Sequence, residues 1–374
     1  MSAEIFYRTF KNMDGAGLCK LWNKSCYESI RGEKVDIDSF DTFVASKLYF
    51  DPSYLVVAVE KRDEPDPNGL SDGRIVGFVH GGFGPNQEMN GCDRSVGYIA
   101  MLIVEKREDQ QQIYTRLLYE MEKIFFRMGI RTVYAGAVYP NAPFYMGRAF
   151  GCEQNGILEN DPFLPQILLK NKYIAVDRHH ILTFILRNTI LLNFKQGILI
   201  SQKVRMVSQD DRSLQNNQAN RPANSRTLAP ISRDWWEACA HSDNAAIMDN
   251  CDRFILVDRH TYEPIAWVGT SFIKREDQIP FLDMYHLYVK PQYRHNGYAR
   301  LLLTLVLNKF QKEYRTCQVE LLVSETNTSA FRMFTGFHFE ITSTGNVYRR
   351  ELPADFPETF QLDRSLEKGT EVHA

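Results

Sequence analysis

The stretch Leu287-Tyr288-Val289-Lys290-Pro291-Gln292-Tyr293-Arg294-His295-Asn296-Gly297-Tyr298-Ala299 decides how this chain is read. A short apolar strand, Asp283 to Val289, runs into it, and a strongly apolar helical run, Arg300 to Phe310, leaves it. The loop between them carries Arg294, Gly297 and Ala299 in the pattern R-x-x-G-x-A. Strand, small-residue loop and helix start form a layout that receives an anion. The N–H groups of a first helical turn have no partner inside the helix, and the helix dipole is positive there. Gly297 has no Cβ to hold the backbone away from the anion, Ala299 adds little bulk, and Arg294 brings a positive charge to the loop. A phosphate group is the expected guest.

Composition sets the frame for this loop. A chain of 374 residues suggests two domains or three. With 44% apolar and 24% charged residues it has the makeup of a globular protein. A net charge of −2 excludes broad binding to nucleic acid or to an anionic membrane, and leaves room for a local phosphate site. The seven cysteines are odd in number and form no C-x-x-C pair, so a reducing, cytoplasmic setting is expected. The first residues lack the apolar stretch of a signal peptide. The most apolar long window, Ile181 to Ile200, is interrupted by Arg187, Asn188, Asn193 and Lys195. It is expected to hold buried strands near a domain junction, with no membrane span.

Working outward, the chain says one thing twice. Val289 ends a strand, a loop follows, a helix runs from Tyr298 to about Tyr314, and then come a strand from Gln318 to Val323 and Asn327. About half a chain earlier, Val104 ends the strand Tyr98 to Val104, and a charged loop leads to a helix from Ile113 to Met128. The strand Thr132 to Val138 and Asn141 follow. Upstream, Leu55 to Glu60 with Ile75 to His80, and Phe254 to Asp258 with Ile265 to Gly269, both read as two strands and a turn. The repeat is long enough to be a duplicated domain. Gln209 to Arg226 reads as a polar loop, and Arg233 to Ala240, with Trp235 and Trp236, as a helix.

The motif after a V-x-P strand end resembles the acetyl-CoA pyrophosphate loop of the GNAT acyltransferases, and the duplication is similar to a tandem GNAT protein of the mycothiol-synthase arrangement. The resemblance covers about residues 1–352. It implies an α/β fold of the mixed α+β kind. Each of two tandem domains would be a mostly antiparallel sheet with a central strand–loop–helix unit and helices on both faces. The expected division is a degenerate N-terminal domain over 1–190, a C-terminal acetyltransferase domain over 191–356 and a flexible tail over 357–374.

The same resemblance implies site residues. The backbone of Leu287, Tyr288 and Val289 would run beside the pantetheine arm and thioester of acetyl-CoA. The N–H groups of Arg294, His295, Asn296, Gly297, Tyr298 and Ala299 would hold the pyrophosphate, and Asn327 would contact the cofactor from the far side. Asn327 through Gly336 and Phe337 resembles the family's second motif, N-x-x-A…G-F, with one departure. Where the family usually places a tyrosine as general acid, counting gives Phe334 from Asn327 or Arg332 from Gly336. A CoA thiolate resembles a free thiol with a pKa of about 8.5 and leaves with little help. Tyr298, Tyr293 and Ser324 are the substitute acids. Asp283, His286 and Glu325 are the candidate bases for stripping a proton from an incoming ammonium, with a water chain as the other route.

The first half lacks the loop chemistry. Asp109, Gln112 and Tyr114 stand where the second half has Arg294, Gly297 and Ala299, and Glu108 adds a second repelling charge. Asn141 to Tyr145 keeps the flavour of the second motif, with Tyr145 near the acid position. The sequence contains no phosphate loop with G-K-[ST], no H-E-x-x-H and no convincing metal set, so no metal is expected. The expectation is therefore an N-acetyltransferase using acetyl-CoA as cosubstrate, with a small-molecule or peptide amine as acceptor, and with neither nucleic acid nor membrane as partner. The rival is a non-catalytic acyl-CoA-binding or regulatory protein. A third option is transfer of a longer acyl chain.

Overall fold

The computed structural model describes residues 4–25, 35–47, 49–61, 73–88, 91–138, 141, 144, 156–192, 195–208, 251–273 and 279–360. The polar loop Gln209 to Arg226, the helix expected over Arg233 to Ala240, Tyr145 and the chain after Phe360 lie outside these residues. The described chain forms two compact units. The first holds the residues up to His179 and from Thr344 onward, and the second those from His180 to Ser343.

The first unit is a sheet with helices on both faces. Its strands are β1 (Ile5–Thr9), β2 (Leu55–Glu60), β3 (Arg74–Pro85), β4 (Cys92–Val104) and β5 (Thr132–Ala135). Neighbours from β1 to β4 are antiparallel, and β4 and β5 are parallel. Such a parallel pair needs a crossover. Helix α1 (Gly15–Ser25) and the short α2 (Ile37–Phe40) precede β2, and α3 (Gln110–Arg127) makes the crossover. In α3, Ile113, Leu117, Met121 and Phe125 recur every fourth residue, so one stripe is buried. That stripe packs with Ile99, Leu102 and Val104 of β4. Ala100 and Ile103 point the other way, to Leu18 and Trp22 of α1. Gly97 lets α3 approach closely, because a Cβ there would meet the Phe125 ring at 2.8 Å.

The first unit is completed by the end of the chain. After β6 (Ile157–Leu158), α4 (Leu164–Lys170), β7 (Ile174–Leu186) and the second unit, strand β13 (Glu340–Glu351) pairs antiparallel with β5, from Tyr348 opposite Ala135 to Glu351 opposite Thr132. Arg350 donates two 2.8 Å bonds to the buried Glu122 carboxylate, which also accepts 2.8 Å from the Tyr173 hydroxyl. The linear division into 1–190 and 191–356 therefore differs from the compact units, which part within β7 and β13. Strand pairing and burial assign Tyr348, Leu352 and Phe356 to the first core. The expected tail also begins docked. Tyr119 donates to the Pro357 carbonyl at 2.9 Å, and the Arg116 guanidinium lies 4.7 Å from the Phe360 ring.

In the second unit β7, from His180 on, is followed across the sheet by β12 (Cys317–Ser324), β11 (Phe281–Val289), β10 (Pro264–Ile273), β9 (Cys251–Asp258) and β8 (Val204–Ser208). β11 and β12 are parallel, and α6 (Tyr298–Tyr314) makes their crossover. Leu301, Leu302, Val306 and Phe310 of α6 share a core with Leu282, Met284, Val319 and Leu321. Helix α7 (Thr328–Thr335) adds Phe334 to the same core. The window read as buried strands is divided. β7 ends at Leu186, and Lys195–Ser201 is a helix, α5, burying Gly197 and Ile200 at helical spacing. Among the described residues no helix is long and apolar enough to cross a membrane.

Candidate active site

The parallel pair of the second unit opens into a notch. β11 and β12 are in register from Phe281–Gln318 to Met284–Leu321, and both continue beyond that point without pairing each other. The cause lies in β11. Against β10, Gly269 faces Tyr285 and Trp267 faces Tyr288, so Val268 opposes two residues, His286 and Leu287. His286 sits at φ 52°, far from strand geometry. This bulge turns the end of β11 away from β12. Because the two strands are parallel, the ends that part lie at one edge of the sheet, where the loop to α6 begins.

The loop presents its N–H groups there. Gly297 takes φ 84°, ψ 4° as N-cap of α6, a left-handed conformation that glycine adopts without strain. The first bond into the helix runs from Leu301 N–H to the Gly297 carbonyl at 2.9 Å. The N–H groups of His295 through Ala299 donate to no acceptor among the described residues. Arg294 is arranged differently. Its N–H already donates to Pro291 O at 3.2 Å, and its Nε donates to the Val289 carbonyl at 3.0 Å. The run of available N–H groups therefore starts at His295, one residue later than the sequence suggests.

The other candidates spread over both faces and the notch rim. Leu287 and Val289 point into the α6 core. Tyr288 is 36% exposed and opposes Trp267 across the strands. Asp283 is buried on the face away from α6, in register with Glu320 of β12. Glu320 accepts from the Thr183 hydroxyl at 3.2 Å and is itself buried. The sequence reading missed it, although a lone acid in the apolar run Gln318 to Val323 was the available signal. His286 packs edge-on to Tyr285. Tyr298 packs against Tyr293 with ring centroids 5.5 Å apart. Burial first, and then the nearby Tyr293 and Asp258, hold the Tyr298 phenol above its ordinary pKa, so it stays protonated and able to donate. At the end of β12 the Ser324 hydroxyl lies 2.9 Å from that of Thr326, and Glu325 lies 3.7 Å from His180 Nε2. The Asn327 side-chain oxygen caps α7, accepting from Ala330 N–H at 3.1 Å. Among the described residues no cluster of three or more His, Cys, Asp or Glu could hold a metal ion.

Phe334 belongs to the core. It is 5% exposed and meets Phe339 edge-on at 5.6 Å. Phe334→Ala should cost about 3–5 kcal/mol in unfolding experiments, the usual range for an emptied aromatic site. Phe334→Tyr should leave turnover within about twofold of the wild type, since the ring is buried among apolar neighbours. A large gain in turnover from that tyrosine would overturn this assignment.

The first unit repeats the architecture without the loop. β4 also bulges, at Ala100, and parts from β5 after Ile99–Ala135. Its loop, however, is partly closed on itself. Gln110, Gln112 and Ile113 donate their N–H groups to the carbonyls of Arg107 and Asp109. Arg107 pairs with Asp109 and Glu60, and Glu105 pairs with Lys24 and Arg74. Arg107, Asp109 and Glu105 are thus engaged in ion pairs, and no glycine opens the backbone.

Comparison with known proteins agrees with this fold. The family model for the acetyltransferase (GNAT) family matches residues 22–151 and 221–339, and the chain belongs to that family. Solved structures similar in fold include a GCN5-related N-acetyltransferase from Sphaerobacter thermophilus, with TM-score 0.54, 14% identity, and coverage of 93% of this chain and 95% of that one. A tandem GNAT protein from the clavulanic acid biosynthesis pathway gives TM-score 0.58 at 11% identity, with coverage of 93% and 98%. A glucosamine N-acetyltransferase region of a fungal multi-domain beta-N-acetylglucosaminidase gives TM-score 0.61 at 14% identity over 93% of this chain. The match spans 38% of that larger protein. No curated protein matches the chain. The fold is that of tandem GNAT proteins, and the fold family binds acetyl-CoA or other acyl-CoA.

Proposed function

We propose that the second unit is an N-acetyltransferase that moves an acetyl group from acetyl-CoA to an amine by direct attack. The observation that carries this reading is the run of N–H groups from His295 to Ala299 at the start of α6, opened by the left-handed Gly297, at the edge where β11 and β12 part. A pyrophosphate held there would leave the pantetheine arm beside Leu287 to Val289, in the notch. Backbone N–H groups in the bulged strand would polarise the thioester carbonyl. The amine nitrogen then forms its C–N bond as the C–S bond breaks, and the electron pair leaves on the CoA sulfur. The ammonium proton passes beforehand to Asp283, His286 or Glu325, directly or through water; the neutral phenol of Tyr298 or the Ser324 hydroxyl protonates the thiolate and recovers its proton from the acylated nitrogen, which sheds its second proton as the amide forms. A covalent acyl-enzyme finds no support at Cys317, which is buried and pushed up to about 11, so it holds little thiolate.

One observation favours a second reading, acyl-CoA binding without turnover: neither residue that counting puts at the family's phenol position is a tyrosine, Phe334 being buried in the core and Arg332 lying on α7. Calorimetry separates the two when followed by a thiol-release assay against a panel of small-molecule and peptide amines. Acetyl-CoA should bind with a stoichiometry near one per chain, because the loop of the first unit carries Glu108 and Asp109 and has no glycine to open its backbone. Thiol release with any amine supports the transferase. Binding with no release across the panel supports the non-catalytic reading, and two equal sites would refute the single-site assignment. A longer acyl donor is tested by repeating the assay with acyl-CoA of increasing chain length.

A further inference from the structure

The one charged side chain of the loop motif points back along its own strand. Arg294 places its guanidinium carbon 5.5 Å from the centre of the Tyr288 ring while its Nε holds the Val289 carbonyl at 3.0 Å. Tyr288 in turn stacks on Trp267 of β10, with centroids 4.4 Å apart and planes 29° apart. Trp267 is anchored beside Val207, Ile255 and Val257 on the face opposite α6. A planar guanidinium can lie against an aromatic face while donating through Nε. A compact, strongly hydrated ammonium cannot hold both contacts in that geometry.

We infer that Arg294 is a positioning residue: the stack Trp267–Tyr288–Arg294, clipped to the Val289 carbonyl, fixes the turn that aims the N–H groups of His295 to Ala299. Arg294 acts through its shape and not as a charge laid on the phosphate. This rests on the reading above that these N–H groups receive a pyrophosphate. The stack also ties the loop to the bulged end of β11, so the phosphate and thioester ends of the notch share one support.

The test uses the full chain and the variants Arg294→Lys, Arg294→Met and Trp267→Leu, read two ways. Arg294 is exposed, so its replacement leaves the core intact. In the ligand-free protein, amide exchange over residues 295–299 should quicken in all three variants. In calorimetry with acetyl-CoA, Arg294→Lys should weaken binding as much as Arg294→Met, by about tenfold. Combining Trp267→Leu with Arg294→Met should add little to the single loss, because both break one stack. Wild-type affinity and wild-type exchange in Arg294→Lys would overturn the inference, since a phosphate contact needs only the charge. If the wild type binds no acetyl-CoA, the functional reading falls, and the exchange experiment still decides whether the stack holds the loop.

Discussion

Gly297→Asp is expected to abolish acetyl-CoA binding while leaving the second unit folded. Asp tolerates left-handed backbone better than most residues and is a favoured N-cap, so the φ of 84° can be kept. The new carboxylate would accept the N–H groups that a pyrophosphate requires, and it would bring a negative charge to the same spot. Two like charges about 4 Å apart repel by roughly 4 kcal/mol at the effective dielectric of a protein surface. Even half of that weakens binding by more than about tenfold, and losing the N–H groups as well should take the loss past about a hundredfold. Gln112→Asp makes the equivalent change at the exposed start of α3 and should alter affinity by less than about twofold, as expected if the acidic, glycine-free loop takes no pyrophosphate. Calorimetry with a thermal melt of each variant is the check. Normal affinity in Gly297→Asp would remove the foundation of the proposed site.

Arg350→Met should produce the largest loss of stability, and it should do so in the first unit. Arg350 arrives on β13, from the far end of the chain, and is the partner of a carboxylate that is 2% exposed. Removing one member of such a buried pair costs about 3–5 kcal/mol, since the other charge is left in the core. The loss should depend on pH. Burial is the chief cause that raises Glu122 from 4.5 to about 7, against the pull of Arg350 and the Tyr173 hydrogen bond. Folding thus takes up a proton between about 4.5 and 7, and the associated stabilisation is lost as pH rises through the folded value. Without its cation the carboxyl is expected to hold its proton to still higher pH. The deficit of Arg350→Met should therefore be larger at pH 8 than at pH 5, and Glu122→Gln should remove the dependence. Denaturant melts at the two pH values, with amide exchange over α3 and β5, would locate the effect. Equal deficits at both pH values would mean that Glu122 is not the group left uncompensated.

The two experiments probe different kinds of information. The loop tested by Gly297→Asp was legible from thirteen consecutive residues, because strand, glycine and apolar helix are local signals. A left-handed N-cap favours a glycine, and a helix start leaves its first N–H groups without partners inside the helix. The repeated strand–helix–strand order was equally legible, since periods of two and of three to four residues mark the elements in each half. The stripe Ile113, Leu117, Met121 and Phe125 is one such signal. The missing phenol, with Phe334 or Arg332 in its place, could also be read by counting, although only packing against Phe339 gives the Phe334 ring its role in the core.

What tertiary structure alone decided depends on pairing between distant segments. The strand that closes the first unit comes from residues 344–351, because Tyr348 finds Ala135 and Arg350 finds Glu122, and no local pattern encodes a partner so far away in the chain. The notch depends on a register shift between β10 and β11 that puts His286 at positive φ, in a run that reads as an unbroken strand. Glu320 becomes the neighbour of Asp283 only through the parallel register of β11 with β12. Arg294 lies against the Tyr288 ring, which stacks on Trp267 of another strand. Sequence fixes which segments are strand, helix and loop because those preferences act over a few residues. Register, strand order and the direction of a long side chain are set by whichever partners the folded chain brings within reach.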